Sequence, residues 1–178
     1  MPPGRVHADR VGLGRQSRRA RQAGFNLIQL MLSLAIGSIV VSVAVPKVKQ
    51  SERISRSTII VADLRTFASA FEGYAQERGG WPDEQPAGKM PPEMNERLGS
   101  TSWLRTTPIG GQYNWDSNQL HAGTRYKAVI SISETDGAPF PVNEEVLLEI
   151  DKLVDDGSLT TGNFRIGVNN DPIFILQQ

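Results

Sequence analysis

The sequence predicts an α+β chain: one long N-terminal helix, apolar in its first half and amphipathic in its second, packed on a small antiparallel β-sheet head. Three observations carry this. Residues 25–46 contain no charge, residues 47–78 repeat apolar side chains at helical spacing, and residues 108–178 hold short alternating segments separated by Gly, Asn, Asp and Pro.

The uncharged run comes first in the chain and sets its direction. Its 22 residues reach ~33 Å at ~1.5 Å per helical residue, enough to cross a hydrocarbon core of ~30 Å. Residues 1–24 carry six arginines against a single acid, Asp9, and basic flanks stay on the cytoplasmic side, so the chain points outward from Phe25. An ordinary signal peptide would instead be cut after a small-residue site, for which Ser42-Val43-Ala44 is available; an uncleaved signal anchor is a further alternative. Within the run, Ser33 and Gly37, then Ser38 and Ser42, recur four residues apart, the spacing that lets membrane helices approach closely.

From Lys47 to Arg78 the pattern remains helical and becomes amphipathic. Ile54, Val61, Leu64, Phe67, Ala68, Phe71, Tyr74 and Ala75 form the expected buried stripe, and Gly79-Gly80 ends it. Residues 81–107 are rich in proline and read as a loop that wraps Trp81, Met90, Met94, Leu98 and Trp103 over the helix, with a short helix at Pro92 to Leu98.

The remainder reads as strand, strand, helix, strand, strand. Gln112 to Asp116 and Arg125 to Ser133 are expected to pair as a hairpin across a loop holding Asn118, His121 and Gly123. Asn143 caps a helix to about Asp155, with Val146, Leu147, Ile150, Leu153 and Val154 as its apolar stripe and Gly157 as its stop. Asn163 to Val168 and Ile173 to Leu176 form a last hairpin around Asn169-Asn170-Asp171-Pro172.

Composition excludes several chemistries. There is no cysteine, so disulfides and thiolate catalysis are out. Two histidines, His7 and His121, leave His-based triads and zinc sites without ligands. Beyond the leader, 13 basic residues face 18 acidic ones, a balance unsuited to binding nucleic acid. The acids Glu144, Glu145, Glu149, Asp151, Asp155 and Asp156 read as the solvated face of a helix. No enzyme activity is expected.

The stretch Gly24-Phe25-Asn26-Leu27-Ile28-Gln29-Leu30-Met31, followed by an apolar helix and Pro46, resembles the N-terminal signature of type IV pilins and type II secretion pseudopilins. In that family the signature reads G-F-[ST]-L-[IL]-E-[LMV], and a prepilin peptidase cuts between Gly and Phe and methylates the new amine. The resemblance implies that Gly24 and Phe25 are the processing pair, that residues 1–24 are removed, and that Pro46 is the helix-kinking proline at the end of the membrane segment. It also implies partners: other pseudopilins in a homo- or hetero-oligomeric fibre, the peptidase, and an inner-membrane assembly platform. The head would then lie in the periplasm of a bacterium, on a single inner-membrane pass. A type IV pilus or DNA-uptake minor pilin, or an anchored periplasmic binding domain, is the alternative.

Asn26 and Gln29 depart from the signature. Gln29 replaces the Glu that in the family offsets the neighbouring subunit's amine, and it supplies no charge. The minor pseudopilin at the fibre tip characteristically lacks this Glu; alternatively, Gln is simply a cheaper polar residue in lipid. Major pseudopilins also bind calcium in a C-terminal loop, for which Asp155, Asp156, Asn169, Asn170 and Asp171 are the oxygen donors available here.

Overall fold

The computed structural model describes residues 26–178. The chain divides into two units, Met1–Ser42 and Val43–Gln178. Helix α1 runs Leu27–Arg78 with Pro46 inside it. After it come a 3-10 turn, Pro92–Met94, continuous with α2, Asn95–Leu98, then β1 (Gln112–His121), β2 (Thr124–Ser133), α3 (Glu144–Val154), β3 (Phe164–Ile166) and β4 (Pro172–Gln177). The four strands form one antiparallel sheet in the order β1-β2-β4-β3. This is the α+β, pilin-like architecture the sequence predicts.

The second unit is built on the amphipathic part of α1. Ile60, Val61, Leu64, Phe67 and Phe71 are buried against Tyr113 and Trp115 of β1, Ala128, Ile130 and Ile132 of β2, and Phe164 of β3. The strand register sets the sheet's half of this contact, Tyr113 opposite Ile132 and Trp115 opposite Ile130, so alternate side chains of both strands reach one face. Phe71 stacks on Trp115 with centroids 3.9 Å apart, and Phe67 meets Trp103 and Tyr113 edge-on at 5.0 and 4.8 Å. Ile54 departs from the expected stripe: it is 42% exposed. The charged first turn of α3 meets the helix there, Arg53 pairing with Glu145 at 3.0 Å; burial starts one turn later at the polar Ser57, and the apolar contact at Ile60.

The proline-rich segment wraps as expected. Met94, Leu98 and Trp103 are fully buried, while Trp81 and Met90 pack at the core's edge. Indole N–H groups fix its path: Trp103 donates to the Lys89 carbonyl at 2.9 Å and Trp115 to the Pro82 carbonyl at 3.0 Å. Gly110 and Gly111 have φ of 91° and 68°, and a Cβ on Gly110 would collide with the Pro139 carbonyl oxygen, so the turn into β1 requires glycine.

Three elements differ from their predicted form. β1 runs five residues beyond Asp116, and the turn contracts to Ala122-Gly123, both with positive φ (47° and 85°), the two-residue hairpin turn that matches strand twist. Its weakly alternating last residues, Gln119, Leu120 and His121, gave no strand signal; their pairing with β2 makes them one. On α3, capped by Asn143 as expected, Leu153 is 42% exposed whereas Asp151 is fully buried. A stripe centred on Leu147, Ile150 and Val154 leaves Asp151 and Leu153 on its two margins, and the loop following α3 covers the Asp margin. β3 ends at Ile166, before the 3-10 turn Val168–Asn170.

Candidate functional site

The first described turn of α1 is closed locally. The Asn26 side chain accepts from the Ile28 N–H at 3.3 Å, and its carbonyl accepts from the N–H groups of Gln29 and Leu30. Gln29 is exposed in this turn. Gly24 and Phe25 lie outside the described residues. Every side chain from 26 to 42 is exposed, including Leu27, Ile28, Met31, Leu34, Ile39 and Val40, and this helix is long and apolar enough to cross a membrane. Ser33, Ser38 and Ser42 donate to the carbonyls of Gln29, Ala35 and Ile39, each at 2.8 Å, so their hydroxyls need no outside partner. A Cβ built on Gly37 meets nothing within 4 Å.

The C-terminal end of α3 gathers carboxylates. Ligand oxygens of Asp151, Asp155 and Asp156 lie within 4.8 Å of one another. Asp155 accepts from the N–H groups of Asn163 and, at 3.1 Å, Phe164; Asp156 accepts from Ser158 N–H at 2.9 Å and Thr161 hydroxyl at 2.7 Å. Gly162, with φ of 74°, lets the loop return against the Asp155 carboxylate, where a Cβ would collide. Asp151 is different. It is fully buried, and among the described residues neither carboxylate oxygen has a hydrogen-bond partner of good geometry. Burial raises its pKa, the Asp156 and Asp155 charges add to that, and nearby N–H groups of Ser158 and Gly157 oppose it.

Of the remaining calcium candidates, Asp171 does not join this carboxylate group. Asp171 neighbours Ser133, Asp116, His121 and Glu134, and Asn169 and Asn170 form a left-handed turn with φ of 57° and 63°. Asp171 therefore does not group with the other expected carboxylates, Asp155 and Asp156, and the buried member of the acidic group, Asp151, was expected on a solvated face.

The second departure is His121, expected in a loop. Five residues along an extended strand would separate Asp116 from His121 by ~17 Å, yet His121 Nε2 lies 3.5 Å from Asp116 Oδ2. The hairpin bends near Asn118, whose φ is 57°, and its tip folds over the outer face of the sheet. There Tyr126, Val129, Ile173 and Ile175 form a second small core. Asp116 accepts from the Ser131 hydroxyl at 2.5 Å and from the Asn114 amide at 2.7 Å. Beside the tip, a cleft of about 530 Å³ opens between the hairpin end, the N-terminus of α3 and β3.

Among known proteins, this chain is 25% identical over 107 residues to the type II secretion system core protein G of Pseudomonas aeruginosa (strain PAO1), a match that covers 55% of this chain and 75% of that protein. The chain is a distant relative of that secretion protein. No family model matches.

Against this secretion relative, the two parts of the molecule stand differently. The bare apolar helix and the sheet-on-helix head were visible in the sequence. The buried Asp151 and the buried His121 were not, although Asp151 one helical turn before Asp155-Asp156-Gly157 was a readable signal for carboxylates converging at a helix end.

Proposed function

We propose that this chain is a pseudopilin subunit that polymerises into a short periplasmic fibre of a type II secretion-like system. It is cut between Gly24 and Phe25 by a prepilin peptidase, methylated, and held in the inner membrane until an assembly platform extracts it. The observation that carries this reading is residues 26–42: helical, apolar, with the serine hydroxyls bonded within the helix, and exposed throughout among the described residues. In a fibre, such helices would exchange lipid for one another, and the open side of Gly37 with Ser33 would allow close approach. The distant secretion-system relative supports it. N-terminal sequencing of the membrane-extracted protein should begin at Phe25; a start at Val45 would establish ordinary signal-peptidase cleavage and refute processing at the pilin site. Gln29→Glu separates tip from shaft: a tip subunit stays at one copy per fibre, whereas a shaft subunit gains longer fibres from the added charge-assisted bond.

A second reading, an anchored periplasmic binding domain, has one observation in its favour, the cleft beside the hairpin tip.

Calcium belongs to the first reading. Asp151, Asp155 and Asp156 fit a hard divalent cation, because an ion would supply a strong partner to the buried Asp151 carboxylate, which has none of good geometry among the described residues, and would offset three converging charges. Oxygen donors of this kind suit hard cations such as calcium, magnesium or manganese.

A further inference from the structure

The cleft beside the hairpin tip is walled by five segments of the head, and its floor is apolar, with Leu147, Ile166 and Ile173. Two opposite charges line it, Arg165 and Glu144. Neither is ion-paired among the described residues. Arg165 commits its Nε–H to the Gly162 carbonyl, which fixes the plane of the guanidinium and leaves its other donors available for a fork-like contact with a carboxylate. Thr124, Thr160 and Asn170 add neutral hydrogen-bonding groups. Val142, which also lines the cleft, is 50% exposed.

We propose that this cleft binds the C-terminal end of a polypeptide: the terminal carboxylate on Arg165, an apolar last side chain on Leu147, Ile166 and Ile173, and a backbone N–H of the peptide donating to Glu144. An unpaired cation and an unpaired anion facing one apolar space cost desolvation if a purely apolar ligand fills it. A ligand that carries its own acceptor and donor removes that cost. The exposed apolar side chain of Val142 favours a chain that continues out of the cleft over a free small acid. A volume of about 530 Å³ lies within the ~300–1,000 Å³ of small-ligand sites. The inference does not depend on fibre formation.

The test uses full-length protein in lipid nanodiscs and calorimetric titration with three probes: the peptide acetyl-Gly-Ala-Leu with a free carboxylate, the same peptide amidated, and hexanoate. The free-acid peptide should saturate, and amidation should weaken it roughly tenfold or more, since a hydrogen bond to a charged group contributes ~1.5–3 kcal/mol. Arg165→Gln should abolish the preference for acid over amide. If that variant fails to fold, Glu144→Gln and the acid-to-amide comparison on the unmodified protein carry the test. Equal binding of acid and amide, or no saturation at millimolar peptide, would overturn the proposal. Hexanoate binding as tightly as the peptide would overturn its polypeptide part.

Discussion

The Tyr113 hydroxyl of β1 donates a 2.9 Å hydrogen bond to Asp63 of α1, joining the sheet to the helix at the polar edge of an aromatic core. Burial first, then the Asp63 charge and this hydrogen bond, raise the phenol's pKa, so it stays a donor at all physiological pH. Removing it by Tyr113→Phe should cost about 1.5–3 kcal/mol in urea unfolding, the range for a hydrogen bond to a charged group. Asp63→Ala should cost about as much or more, because it strands a buried hydroxyl. The double variant should show coupling in a double-mutant cycle; strictly additive losses would mean the bond contributes nothing.

Removal of residues 1–46 should leave a soluble monomer that melts cooperatively, since the first buried side chain of α1 is Ser57. Removal up to Gly79 deletes Ile60, Val61, Leu64, Phe67 and Phe71, all buried. At ~1.5–3 kcal/mol each that is roughly 8–15 kcal/mol, as large as the net stability of a typical domain. The shorter fragment should aggregate. Finding it folded and monomeric by analytical ultracentrifugation would show that α1 is not part of the core.

Asp116 makes stability depend on pH. Burial raises its pKa; the Ser131 hydrogen bond and the nearby His121 lower it in part, Glu84 adds repulsion, and the Asn114 hydrogen bond lowers it further. Asp171 also faces the group. With the folded pKa above the unfolded one, the contribution is fully present below the unfolded value of ~3.9 and is lost as pH rises through the folded value. Unfolding free energies of the natural protein and Asp116→Asn, measured from pH 3.5 to 7, should therefore shift in favour of the variant as pH rises. A constant difference would contradict this.

Calcium should raise the thermal midpoint of the full-length protein relative to EDTA, by up to ~2.7 kcal/mol of stability at a hundredfold excess over Kd. Asp151→Asn should remove most of that dependence while stabilising the EDTA form, because it relieves a buried charge that the Asp156 and Asp155 carboxylates repel. Identical midpoints in calcium and EDTA for the natural protein would end the proposal of a cation at this turn.

Local pattern determined much of this molecule. An uncharged run of 22 residues, the helical repeat from Val61 to Phe71 and the alternation from Ala128 to Ile132 each name their element without reference to anything distant, because periods of 3.6 and 2 are properties of neighbouring residues. Tertiary contact decided the rest. Ile54 and Leu153 fit their stripes equally well, but burial depends on which surface arrives, and here it is a charged helix turn in one case and open solvent in the other. The bend at Asn118 brings His121 back onto Asp116, and the loop after α3 encloses Asp151. Both candidate sites arise from chain reversals that bring together residues with no shared period, so no local pattern could announce them.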